Sequence, residues 1–279
     1  MRPGHADLFG SLVSELAEYL GRSEREVIEA CRTGRQEVAD SWMAAGLSDR
    51  ATAKEAEDFY RSADAYLFDL VDFNANYPYT AELEALLRIC AQRQVKTALD
   101  FGSGIGSLGI VLASAGMQVT LADVSKPLLS FCEWRFAKRG IAASFIHIED
   151  DRKLPSSYFD LVTSFDVMEH IAEPRNILRK IADTLKPAGL FAFNVGPKGP
   201  DFPQHITSFD DVLSVIRSCG FRRDADALSF ECFHRHAGSL VGNAVHGIFD
   251  PLWYKGLRRP AVSALKALGL KEQTERLLS

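Results

Sequence analysis

The sequence predicts an α/β protein: a doubly wound, seven-stranded, mostly parallel sheet with an antiparallel last strand, preceded by an N-terminal helical cap. Three observations predict it. From Val95 onward, short apolar runs alternate with helical stretches of about 10 to 15 residues, the rhythm of βαβ units. Two closing strand candidates, Phe221–Ala227 and Phe230–His236, lie near enough in sequence to pair antiparallel. Before Val95 there is helical periodicity and no strand candidate. The chain therefore divides into a helical cap or lid region (1–94), a sheet domain (95–239) and a C-terminal helical tail (240–279).

In the cap, Leu8, Leu12, Leu16 and Leu20 recur at i, i+4 spacing, which places them on one helical face. Ser23-Glu24-Arg25-Glu26 has the form of a capping box that opens a second helix carrying Val27, Ile28 and Cys31. A third helix is expected from Ala51 to Phe73, ended by Asn74-Ala75-Asn76-Tyr77-Pro78, and another from Ala81 to Gln92. Tyr77 and Tyr79 are candidates for a lid.

Strands are expected at Thr97–Phe101, Gln118–Ala122, Ala143–Ile148, Phe159–Phe165 and Leu190–Val195, with helices between them at Ser107–Ala115, Pro127–Arg139 and Glu173–Leu185. Ser208 should cap a helix that runs to Cys219-Gly220, ahead of the two closing strands. The tail holds one amphipathic helix, about Pro260 to Leu268, after a basic segment Trp253–Arg259. A solvated basic face packed on the domain is preferred there to contact with an acidic membrane.

Composition removes several functional classes. With 32 Lys+Arg against 37 Asp+Glu, the net charge of −5 lacks the basic footprint that neutralises nucleic-acid phosphates, so a small molecule is the expected partner. Five scattered cysteines, none in a C-x-x-C pair, suit a reducing cytoplasm better than a disulfide scaffold or a zinc ribbon. The N-terminus lacks the pattern of a signal peptide, and no apolar run approaches the ~18 residues of a membrane span. Cys232, His234 and His236 alternate along one strand face, but nothing is spaced to complete a metal site, so an edge-strand surface is preferred.

The strongest chemical signal is ALDFGSGIGSLG, residues 98–109, a strand entering a glycine-rich turn and then a helix. Such a turn brings backbone close to a ligand and offers free helix N–H groups. Two templates fit. Gly104–Gly109 matches the dinucleotide fingerprint G-x-G-x-x-G, whereas Asp100–Gly106 matches an acidic-x-G-x-G-x-G loop. Charge separates them: Asp100 beside the turn repels a pyrophosphate and attracts an ammonium group. Asp123, ending the second strand, suits a ribose in either case, with capping of the next helix as its structural alternative. Glu149, Asp150 and Asp151 end the third strand as candidate adenine contacts.

Five ordered pieces, LDFGSGIG, VTLADVS, EDDRKLP, YFDLVTSFDVMEHI and LKPAGLFAFNV, resemble those of the class I S-adenosylmethionine-dependent methyltransferases over about residues 95–235. The resemblance implies that Asp100, Gly102, Gly104 and Gly106 hold the methionine part of S-adenosyl-L-methionine. It likewise implies that Asp123 holds the ribose, with Val124 beside it in the cofactor site, that Asp150 or Asp151 holds the adenine, with Glu149 kept as a further candidate, and that Phe165 flanks the sulfonium side. Ala188 departs from the family's usual glycine in a turn away from the cofactor. The implied reaction is displacement at the sulfonium methyl by an O, N or C atom of a small molecule, leaving S-adenosyl-L-homocysteine. His205, in the loop after the fifth strand, is the first candidate for a general base and His170 the second. An NAD(P)-dependent oxidoreductase and a non-catalytic cofactor-binding partner subunit are the alternatives.

Overall fold

The computed structural model describes residues 8–62, 64–76, 80–148, 154–226 and 230–235, which fall within one compact unit. The tail helix, the basic segment Trp253–Arg259, Tyr77, Tyr79, His236 and the acidic run Glu149-Asp150-Asp151 lie outside the described residues.

Five helices come first: α1 (Leu8–Leu20), α2 (Glu24–Ala44), α3 (Ala53–Ser62), α4 (Tyr66–Asn76) and α5 (Thr80–Gln92). The capping box is present at α2: the Ser23 hydroxyl accepts from the Glu26 N–H and the Glu26 carboxylate accepts from the Ser23 N–H at 2.8 Å. The helix expected over 51–73 is two helices. Without a glycine or proline at the junction, no breaker announced the split. Its consequence is geometric, since at about 100° per residue Tyr60 and Tyr66 would face apart on one continuous helix. The break instead sets their rings edge to face at 5.3 Å.

The sheet domain follows as β1 (Thr97–Phe101), α6 (Ser107–Ser114), β2 (Gln118–Asp123), α7 (Lys126–Arg139), β3 (Ser144–His147), β4 (Phe159–Ser164), α8 (Pro174–Thr184), β5 (Leu185–Phe193), α9 (Phe209–Ile216), β6 (Phe221–Asp226) and β7 (Glu231–Arg235). Strand order is β3-β2-β1-β4-β5-β7-β6, parallel from β3 to β5 and antiparallel where β7 meets β5 and β6. The inner strands β2 and β4 are buried along almost their whole length, so they lack the in/out alternation of apolar and polar residues that a half-exposed strand shows. One core, with Leu99, Val162, Leu178, Ile181 and Phe191, lies under α8 and α9; another, with Leu112, Leu121, Cys132 and Phe136, lies under α6 and α7. The cap helices have a core of their own, with Leu16, Val27, Val38 and Val71, that reaches Ile105 and Phe131 of the sheet domain.

Two expectations are corrected. β5 begins at Leu185 rather than Leu190, because Lys186-Pro187-Ala188-Gly189 forms a bulge inside the strand where the register to β4 shifts. Ala188 sits there at φ +64, left-handed backbone that a glycine adopts more readily. The Cys232/His234 strand, moreover, is no edge: β7 lies between β5 and β6, and Cys232 is fully buried.

Candidate active site

The carboxyl ends of β1, β2 and β4 open into a cavity of about 600 Å³, within the range that holds a cofactor and a small acceptor. Its wall includes the glycine loop with Asp123, Val124, Ile148 and Phe165, and Tyr60, Tyr66, Leu70 and Phe73 of the cap together with His170 and Ile171; Leu70 reaches the loop itself, 3.0 Å from where a Gly104 Cβ would lie.

β2 delivers Asp123 to the loop. One carboxylate oxygen accepts the Gly104 N–H and the other accepts the Ser125 N–H, both at 2.8 Å. Capping of α7 is done by Ser125, whose hydroxyl accepts the Leu128 N–H. Burial raises the Asp123 pKa, opposed by these N–H donors. Asp100, at the wall beneath the loop, accepts from the Thr163 hydroxyl at 2.8 Å; burial, only partly offset by that bond and reinforced by the charge of Asp123, pushes it up to about 7. A methyl at Gly102, φ +74, would lie 2.4 Å from Val167 Cγ2. Gly106, expected at the cofactor, is buried behind the loop instead, where a Cβ would lie 2.2 Å from Cys132 Sγ. It shapes the turn without lining the cavity. The buried Ser103 hydroxyl in the same loop has no hydrogen-bond partner among the described residues. The Phe165 ring rests edge-on against Phe230 at 5.7 Å.

Beyond β4 the chain turns sharply. Asp166, at φ +53, is clamped by Asn194: its N–H donates to Asn194 Oδ1 at 2.5 Å and Asn194 Nδ2 donates back to Asp166 Oδ1 at 3.1 Å. Burial, against that amide, raises Asp166 to about 6. In the 3-10 turn Met168–His170, Glu169 is 1% exposed and pins the following loop at both ends. Its Oε1 accepts the Gly196 N–H at 2.8 Å, and its carbonyl accepts the N–H groups of Ile206 and Thr207 at 2.8 and 3.0 Å. Burial, then the charge of Asp166, pushes Glu169 up to about 8.

His170 faces the cavity, with Nδ1 at 2.7 Å from the Tyr60 hydroxyl and 3.3 Å from the Gln204 carbonyl. Burial, then the proximity of His205, pushes it down to about 3. His205 stands behind it: it is 8% exposed, is not part of the cavity wall, and its Nδ1 lies 2.7 Å from the Pro197 carbonyl. Its ring stacks on Phe202 and meets His170 edge to face, each at 4.8 Å. Of the two histidines, His170 is the one on the cavity wall. Tyr60, Tyr66, Asp166, Glu169 and Asn194 were not foreseen as site residues. The tyrosines fall inside the helix expected over Ala51–Phe73 and carry no site signal there, and only the adjacency of Glu169 to His170 points to the rest.

Ligating atoms of Glu169, His170 and His205 lie within 4.8 Å of one another, the one such group among the described residues. Each residue already holds a protein partner through Gly196, Tyr60 and Pro197 respectively.

A family model described as a methyltransferase domain matches residues 99–191. A ubiquinone biosynthesis O-methyltransferase of Pseudomonas paraeruginosa is 30% identical over 165 residues, 56% of this chain and 70% of the relative. Another, of Hydrogenovibrio crunogenus, is 25% identical over 207 residues, covering 72% and 86%. Among solved structures, an S-adenosylmethionine-dependent methyltransferase from Clostridium acetobutylicum has a TM-score of 0.48 at 12% identity, covering 59% of this chain and 98% of that one. The two O-methyltransferase relatives favour methyl transfer over hydride transfer and over a non-catalytic subunit. The chain belongs to the class I S-adenosylmethionine-dependent methyltransferases and acts in methyl transfer to a small molecule.

Proposed function

We propose that this chain binds S-adenosyl-L-methionine along the glycine loop and methylates a hydroxyl oxygen of a largely apolar small molecule held under the cap. The observation that carries the reading is the joint between Asp123 and the Gly104 N–H at the cavity wall. It fixes a carboxylate for the ribose hydroxyls beside a loop that admits a ligand at van der Waals distance. Gly102, Gly104 and Asp100 would hold the methionine part, Val124 and Ile148 the nucleoside, and Phe165 the sulfonium side. The unpartnered Ser103 hydroxyl fits a polar ligand in the same place. The bound cofactor supplies a methyl group already activated by its sulfonium.

The chain's own task is alignment in a site closed to water. Tyr60, Tyr66 and Phe73 present aromatic surface to the acceptor, and His170 adds a ring nitrogen among them. With its Nδ1 proton shared between Tyr60 and the Gln204 carbonyl, His170 keeps Nε2 as an acceptor for the substrate hydroxyl. A weak base is sufficient, because an oxygen gaining a methyl becomes strongly acidic and gives up its proton late. His205 supports His170 from behind. The O-methyltransferase names of the relatives support oxygen as the acceptor atom. The five cysteines, all buried and none joined in a disulfide, fit a cytoplasmic setting.

The test is isothermal titration with S-adenosyl-L-methionine, S-adenosyl-L-homocysteine and NADH, for the wild-type chain and Asp123→Ala. Micromolar binding of the first two, none of NADH, and at least a roughly tenfold loss in the variant are expected. Binding of NADH alone would move the chemistry to hydride transfer.

A further inference from the structure

Two guanidinium groups, Arg135 and Arg139 of α7, line the same cavity. They are an awkward neighbour for a cofactor carrying a sulfonium and an ammonium, and would better suit the pyrophosphate of a dinucleotide. Both are engaged by one carboxylate from the cap. Glu15 of α1, 7% exposed, accepts from Arg135 Nε at 2.8 Å through one oxygen and pairs with Arg139 through the other. Arg135 in turn donates to the Ile105 carbonyl at 2.5 Å and to the Ser107 hydroxyl at 3.2 Å, at the glycine loop and the first turn of α6. Burial and the neighbouring Arg139 weaken Arg135's hold on its proton, while Glu15 strengthens it. A second cap residue, Glu18, pairs with Lys138 on the exposed side of the same two helices.

We infer that Glu15 is a specificity-determining residue: by offsetting one of the two charges of the Arg135/Arg139 pair from the cap, it sets the preference of the cavity for the cationic cofactor over its uncharged-sulfur product. The inference rests on the cofactor reading above. Remove the carboxylate's charge and the uncompensated positive charge of the wall rises from one to two, felt by a sulfonium and hardly by a thioether, although both ligands use the same loop contacts. A purely mechanical role for Glu15, bracing the loop through Arg135, would weaken both ligands alike.

The experiment measures the dissociation constants of S-adenosyl-L-methionine and S-adenosyl-L-homocysteine by titration calorimetry on the full chain, as Glu15→Gln, Arg139→Gln and Glu18→Gln. In Glu15→Gln the methionine compound should lose about tenfold and the homocysteine compound less than about threefold. Arg139→Gln, which removes a partly exposed positive charge and tolerates loss of packing better, should shift the ratio the opposite way by about threefold. Glu18→Gln should leave both constants as in wild type. Equal losses in Glu15→Gln, or an unchanged ratio in Arg139→Gln, overturn the inference. A wild-type chain that binds neither compound overturns the cofactor reading instead.

Discussion

The two ends of the cavity are built by opposite means. The cofactor end is backbone: a short loop whose shape is fixed by positive φ angles and by one carboxylate gripping the Gly104 N–H. The acceptor end is side chains gathered from distant parts of the sequence, Tyr60 meeting His170 across 110 residues. An end made of backbone tolerates little change at a few positions. An end made of side chains can be altered one contact at a time, which is how one fold serves many acceptors.

The sharpest way to break this contrast is at the backbone end. Gly106→Ala puts a methyl at φ +76, 2.2 Å from Cys132 Sγ, so the loop or α7 must shift. We expect a loss of about 2–4 kcal/mol in stability and of most cofactor affinity, read by thermal melting and calorimetry. A variant that binds the cofactor like wild type would show that the loop's shape is not what holds it.

At the side-chain end the effect should be smaller and confined to catalysis. Tyr60→Phe removes one hydrogen bond to His170 and leaves the ring packing, so kcat should fall about tenfold with cofactor affinity unchanged. Steady-state kinetics with calorimetry separates the two. A parallel loss of cofactor affinity would join the ends that the geometry keeps distinct.

The smallest effect concerns the residue between them. Glu169 is held near pKa 8 against an ordinary value of 4.5, so the folded state keeps a proton that the unfolded chain releases. Its contribution is fully present below about pH 4.5 and is lost as pH rises toward 8. Glu169→Gln, which keeps an acceptor for the Gly196 N–H, should flatten that part of the stability curve, gaining on the order of 1 kcal/mol relative to wild type at the alkaline end. Denaturant melts at a series of pH values measure it. An unchanged slope would mean that Glu169 is ionised in the folded protein.

The same contrast explains what could be foreseen. The strands, the Ser23 capping box, the glycine loop and Asp123 were legible because each is specified by neighbours in sequence. The split between α3 and α4 was not, since it is imposed by packing of Tyr60 and Tyr66 against each other and His170 rather than by a breaker residue. The bulge at Ala188 was missed because alanine does not advertise a left-handed position. The placement of His170 on the cavity wall with His205 behind it is not readable from sequence for a related reason. Loop membership indicates nearness to a substrate site, but only the fold decides which ring stands in front.

Because Glu169 ties both Gly196 and Ile206-Thr207, the loop between them is closed on itself before any substrate arrives. Its ends are held by the sheet domain whatever its interior contains, so the entropic cost of a longer loop grows only as the logarithm of its length, about 0.6 kcal/mol per doubling. The span 198–203, which leaves out the Pro197, Gln204 and His205 contacts that back His170, is therefore a replaceable cassette. Exchanging it for a segment of different length and composition should leave the cofactor loop, the sheet register and the backing of His170 untouched.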